Sequence, residues 1–163
     1  MNRGPTAKQV FSHPAHFLAF GFGSGLAPVA PGTFGTLAAI PIYLLMSQLS
    51  VSLYCGLLLL ICAVSVYVAG KSSQLLGVHD HGGIVIDEIA GFLLTMTLAP
   101  AGWVWIVAGF LLFRLFDILK PWPINVLDRR VSGGLGIVLD DLMAGIYGGL
   151  SLLLLEWLVN QFS

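Results

Sequence analysis

Between Val10 and Ala69 the chain carries no Asp, Glu, Lys or Arg. A helix that crosses a bilayer needs roughly 17–25 consecutive, mostly apolar residues, and this run is long enough for more than one crossing. Two further uncharged runs follow, Ile89–Phe113 and Leu142–Leu155. With 57% of residues apolar and 9% charged, and a mean hydropathy of +0.93, the sequence predicts an all-α, polytopic membrane helical protein, with residues 1–163 forming a single membrane-embedded domain. With a net charge of −1, nothing suggests a nucleic-acid partner. Met1–Lys8 reads as a short cytosolic tail, because no apolar region with a cleavage site follows it directly. Cys55 and Cys62 stand seven apart in one apolar segment with no CxxC and no His–Cys cluster, so they read as packing residues.

Glycine and proline divide the chain. The stretch GFGSGLAPVAPGTFG within Phe17–Gly35 holds five glycines and two prolines, which forbid a plain helix. A helix is expected from about Thr33 through Leu45 with a kink at Pro41, and the cleanest span over Val51–Gly70. His79–Gly83 reads as a loop, Ile84–Ala99 as a helix, Pro100–Gly102 as a turn and Trp103–Leu119 as another helix that Pro121 and Pro123 end. Asn125–Leu139 is expected to hold a short helix and a loop at SGGLG. Asp141–Val159 is the expected final helix, with Trp157 as an interface anchor.

Charge placement decides how the Ile89–Phe113 run is used. If it folds as a tight hairpin, all seven Lys and Arg residues (Arg3, Lys8, Lys71, Arg114, Lys120, Arg129 and Arg130) fall on one side. If it is a single tilted span, four of them change sides. The positive-inside tendency favours the hairpin and makes that side cytosolic. The expected topology is therefore two cytosol-anchored helical hairpins plus a final transmembrane helix.

Of only eight carboxylates, four stand as adjacent pairs, Asp87-Glu88 and Asp140-Asp141, each opening an uncharged stretch. Paired acids at a membrane edge repel one another and are desolvated, a cost that a divalent cation offsets. Both pairs lead into the pattern Asp-x-x-Ala-Gly, Asp87 to Gly91 and Asp141 to Gly145. Small residues one turn inside let two helices approach closely in lipid, which would bring the four acids together. Oxygen-only ligands suit Mg²⁺. Asp87, Glu88 and Asp141 are the first-choice metal ligands, with Asp140 and Asp117 next. Arg114, Asp117 and Lys120 recur at a spacing of three along one side of a helix, opposite Leu115, Ile118 and Leu119. Arg114 and Lys120 are the expected phosphate binders, and Asp117 would ligate metal or orient Arg114. Ser24, Gly32, Thr33 and Thr36 line a Gly-rich entry into a helix start, a corner suited to an anion. His13, His16, His79 and His81 read as loop or interface residues. Together these features suggest a lipid phosphate as substrate, with Asp87 or Asp141 as base and Arg114 holding the phosphate. A divalent-cation carrier is the non-enzyme alternative, but its acids would sit mid-span, without Arg114 and Lys120 beside them. The chain carries no signature of an oligomeric state.

Four ordered segments sharpen this reading. APVAPGTFGTL (Ala27–Leu37), IVIDEIAGF (Ile84–Phe92), FRLFDILKPWPI (Phe113–Ile124) and DDLMAG (Asp140–Gly145) resemble the four signature blocks of the phosphatidylglycerophosphatase A family, over about Phe17 to Leu150. The resemblance implies a bacterial inner-membrane enzyme that depends on Mg²⁺ and dephosphorylates phosphatidylglycerophosphate to phosphatidylglycerol.

Overall fold

The computed structural model describes residues 5–78 and 81–162, and within them every regular element is a helix. Two short helices, α1 (Ala7–Ser12) and α2 (Pro14–Ala19), begin the chain. Thr6 caps α1 through a reciprocal pair of bonds with Gln9, and the His13 ring accepts the Ala15 amide to start α2. A broken 3-10 segment over Gly21–Leu26 follows, in which Phe22 and Gly23 have φ of 60° and 100°. The Gly/Pro-rich stretch is thus interrupted as its composition requires, although the two helices before it were not foreseen.

The longer helices are α3 (Pro31–Met46), α4 (Val51–Leu76), α5 (Ile86–Thr95), α6 (Trp103–Leu119), α7 (Ile124–Arg130) and α8 (Gly133–Phe162). α3 starts on a proline at its first position, where the missing N–H costs nothing, after Ala30 turns the chain through φ 48°. α4 is six residues longer than its apolar run. It continues through Lys71 to a stop at Gly77, whose φ of 66° favours glycine. Among the described residues, α4 and α8 are the two helices long and apolar enough to cross a membrane. α5, by contrast, has 10 residues and rises only about 15 Å, shorter than the expected Ile84–Ala99.

α8 is the hub, packing against α4, α5, α6 and α7. Its meeting with α5 follows the repeated Asp-x-x-Ala-Gly pattern. A Cβ added at Gly145 would come 2.5 Å from the Gly91 carbonyl oxygen, and one added at Gly91 would come 2.6 Å from the Asp141 carbonyl oxygen. Only glycine permits that approach. Tyr54 on α4 holds the other side of α5, its hydroxyl donating to the Leu93 carbonyl at 2.6 Å. Phe92, Leu93, Met96 and Phe113 fill the space between, all but fully buried. Large apolar side chains lie exposed along the outer faces of α4, α6 and α8, among them Leu59, Leu60, Leu111, Ile118, Leu154 and Trp157. So much exposed apolar surface fits contact with lipid.

The SGGLG segment corrects the sequence reading. It is not a loop: α8 begins at Gly133, and Asp140-Asp141 lie two turns inside the helix instead of at its start. The glycines serve close packing, because a Cβ at Gly134 would collide with the Val66 carbonyl and the Gly70 backbone of α4. Helix-dipole stabilisation therefore applies to Asp87 and Glu88, in the first turn of α5, and not to the second pair.

Candidate active site

The start of α5 sets the site. Val85 donates its amide to the Ala19 carbonyl at 2.8 Å, tying that start to α2, and the next residues deliver Asp87 and Glu88. The Gly91–Gly145 crossing brings Asp141 to the same spot from α8. One carboxylate oxygen from each of Asp87, Glu88 and Asp141 lies within 4.8 Å of the others. Asp87 and Asp141 are buried, and Glu88 nearly so.

Two elements close around these acids. From α6, Arg114 makes a tight ion pair with Asp117, one turn on, and reaches Glu88 at 3.8 Å. Asp117 in turn lies beside Asp141 and Glu88. From α3, Gly32 presses its backbone against the Glu88 carboxylate and the Arg114 guanidinium, so closely that a Cβ there would collide with Glu88 Oε1. The first turn of α3 thus abuts the cluster.

The electrostatics are one-sided. Four carboxylates, Asp87, Glu88, Asp117 and Asp141, face one guanidinium. Burial, reinforced by the charge of Asp117, holds the Glu88 carboxyl above the ordinary glutamate range; its hydrogen bond with Asp87 and the attraction of Arg114 offset only part of this. Glu88 Oε2 and Asp141 Oδ2 are buried and have no hydrogen-bond partner, an arrangement that is costly unless a cation satisfies it. Hard carboxylate oxygens in surplus negative charge fit a divalent cation of the Mg²⁺ kind.

Asp140 and Lys120 go elsewhere. Lys120 Nζ bonds to Asp140 Oδ2 and to Asp128 Oδ1 at 2.6 Å each. Burial alone would lower the lysine's pKa, but its bonds to Asp128 and Asp140, with their charges, outweigh burial and keep it above the usual lysine range. Lys120 itself ends α6 in the left-handed region at φ 42°, at a cost of about 1–2 kcal/mol for a residue with a Cβ. That turn aims its side chain at α7 and α8. The expected gathering of four paired acids is therefore three, with Asp140 in an ion-pair cluster of its own. Asp128 was not singled out from the sequence; its only signal is that it is the acid between Lys120 and Arg129.

The Gly-rich corner divides as well. Thr36 is fully buried and its hydroxyl donates to the Gly32 carbonyl at 2.9 Å. Ser24 donates to the Gly21 carbonyl at 2.8 Å, within the 3-10 segment. Thr33 is half-buried in the first turn of α3, next to Gly32. Leu115, Ile118 and Leu119 face outward, opposite the charged side of α6. Among the histidines, His16 Nδ1 contacts the Ser72 hydroxyl at 2.8 Å and joins α2 to α4, while His81 Nδ1 accepts the Gly83 amide. His79 lies outside the described residues.

With this geometry in hand, comparison with known proteins is specific. The family model described as phosphatidylglycerophosphatase A matches residues 17–156. A phosphatidylglycerophosphatase A of Escherichia coli K12 is 48% identical over 136 residues, covering 83% of this chain and 79% of the relative. One from Haemophilus influenzae is 43% identical over 145 residues, covering 88% and 89%. A Bacteroides thetaiotaomicron protein, named provisionally as a phosphatidylinositol-3-phosphatase, is 33% identical over 148 residues, covering 86% and 92%. No solved structure matches.

Proposed function

The chain belongs to the phosphatidylglycerophosphatase A family, and from that premise we propose that it hydrolyses phosphatidylglycerophosphate to phosphatidylglycerol and phosphate, using Mg²⁺, at the cytosolic face of the bacterial inner membrane. Membership makes it a phosphatase. The observation that carries the finer reading is the buried cluster of Asp87, Glu88 and Asp141 with Arg114 and the start of α3 against it.

Asp87, Glu88 and Asp141 would hold the ion, which supplies positive charge against the phosphate oxygens when bound. Arg114 would fork onto two phosphate oxygens, with Asp117 fixing the plane of the guanidinium. The backbone of Gly32 and the hydroxyl of Thr33 would line the side of the phosphate facing α3. Asp87 or Asp141 would take the proton from the attacking water as its oxygen bonds to phosphorus, and would pass that proton to the glycerol oxygen as the phosphorus–oxygen bond breaks. Lys120 and Asp140, bonded to each other, would steady the end of α6 that carries Arg114 and Asp117.

Phosphate release by the purified protein in detergent, with Mg²⁺ and with chelator, tests the reaction. The panel is phosphatidylglycerophosphate, phosphatidate, a polyprenyl phosphate and phosphatidylinositol 3-phosphate, the last suggested by the Bacteroides relative's name. Release greatest from phosphatidylglycerophosphate and abolished by chelator is expected; no metal-dependent release from any of them overturns the proposal. Acid quench during the first turnover separates direct water attack, which leaves no phosphate on protein, from a phospho-aspartate. Sidedness is tested by reporter fusions at Ser73, Gly102 and Asn125, where Gly102 should report the periplasm and the other two the cytosol.

A further inference from the structure

The seam between α5 and α8 does not end at the carboxylates. Beyond the Gly91–Gly145 crossing it opens into a groove of about 220 Å³, lined chiefly by Leu94, Leu98, Ile146, Leu150 and Leu153, with Gly145 and Gly149 in its floor. We propose that this groove holds one acyl chain of the lipid phosphate while the phosphate sits at Asp87, Glu88 and Asp141. The proposal rests on the lipid-phosphatase reading and adds to it the recognition of the tail.

Three observations point to an acyl chain as the occupant. The groove adjoins the site: Gly145, in its lining, stands one turn from Asp141 on α8, and Gly149 follows a turn later. Its length fits: its α8 lining, from Gly145 to Leu153, rises about 12 Å, within the ~15 Å hydrocarbon depth of one leaflet. Its chemistry is apolar: Thr95 and Thr97 line it, but their hydroxyl hydrogens are used on backbone carbonyls, shared between Gly91 and Gly145 for Thr95 and given to Leu93 for Thr97. The adjoining cavity of about 320 Å³, which shares Thr97, Leu98 and Ala99 with the groove, differs in keeping Ser47 and Tyr43 in its wall.

Gly149 is the informative residue. Gly145 must be glycine for the helices to touch. A Cβ at Gly149 would lie 3.3 Å from the nearest atom, the Thr95 carbonyl oxygen, so packing demands much less of this position. Its missing side chain leaves the groove open along its floor.

The test compares a long-chain phosphatidylglycerophosphate with a short-chain one of the same headgroup. Gly149→Leu fills the floor and should lower the ratio of kcat/KM, long over short, about tenfold. Leu150→Trp acts from an exposed position that leaves the helix contact intact, and should move the ratio the same way if the glycine variant fails to fold. An unchanged ratio in folded protein overturns the proposal. A non-hydrolysable phosphonolipid with a photoreactive group on its tail gives a readout independent of turnover. Crosslinks concentrated at residues 94–98 and 146–153, competed by unlabelled long-chain lipid, support the groove. Crosslinks spread evenly over the outward leucines of α4 and α8 overturn it. Should the wild-type protein release no phosphate from any lipid, the functional reading fails, and the crosslinks still decide the groove.

Discussion

Two acidic clusters lie a residue apart on α8, and they differ in almost every respect. Asp141 faces α5 and joins Asp87 and Glu88, with Arg114 as the nearby cation. Asp140 faces the other way and shares Lys120 with Asp128, each bond 2.6 Å. The first cluster is buried and has more negative charge than its one guanidinium can balance. The second reaches solvent through Lys120 and Asp128, and each of its acids has a lysine bond. Adjacent residues on a helix diverge by about 100°, so a doubled acid delivers one carboxylate to each of two neighbours. A cation-hungry cluster is suited to chemistry, and a paired one to holding elements together.

The sharpest way to break this contrast is to remove charge from each cluster in turn. Glu88→Gln or Asp141→Asn should lower kcat for phosphate release by about 10²-fold or more and blunt its response to Mg²⁺; normal turnover and normal Mg²⁺ dependence would remove that residue from the site. Next in size, Gly32→Ala drives a methyl into the Glu88 carboxylate and Arg114. A displacement near 1 Å suffices for a loss of about 10²-fold, so kcat should fall by roughly 10- to 100-fold with the helix content by circular dichroism unchanged. Activity near wild type would show that the first turn of α3 yields without moving the acids.

The paired cluster should respond less. Asp140→Asn leaves Lys120 bonded to Asp128, and should reduce activity no more than about tenfold while lowering the thermal midpoint in detergent. Asp128→Asn removes the exposed partner and should cost within about 1 kcal/mol. If either variant abolished Mg²⁺-dependent release outright, the division of the two clusters would be wrong.

The smallest effect concerns pH. Glu88 has a folded pKa above its unfolded one, so the folded state binds the extra proton and metal-free stability falls as pH rises through that window, then levels off. A cation offsets the penalty of the ionised group. The gain in thermal midpoint on adding Mg²⁺ should therefore be larger at about pH 7.5 than at about pH 5, measured by thermal unfolding in detergent. An equal gain at both would detach Glu88 from the cation.

Much of this was legible in the sequence because the signals are local. An uncharged run states its own burial in lipid, and a proline or a charged boundary marks where a helix starts or stops. The Asp-x-x-Ala-Gly repeat also announced the contact of α5 with α8, since small residues one turn from an acid have few other uses in an apolar helix. SGGLG misled for a physical reason. Glycines weaken an isolated helix, yet here close packing on α4 at Gly70 holds the helix and admits no side chain. The helices α1 and α2 were missed because each is six residues long, too short for periodicity to register.

The sequence by itself determined the helical class, the long apolar segments, the family, and the residue types at the site, all of which follow from composition and from patterns within a few residues. Only the tertiary structure decided which acid of each pair works with which neighbour. It sent Asp141 to Asp87 and Glu88, gave Asp140 to Lys120 and Asp128, and set Gly32 against Glu88. Helical periodicity tells which face a side chain takes, but the partner on that face comes from a segment tens of residues away, and the direction of approach is set by glycine contacts between helix backbones.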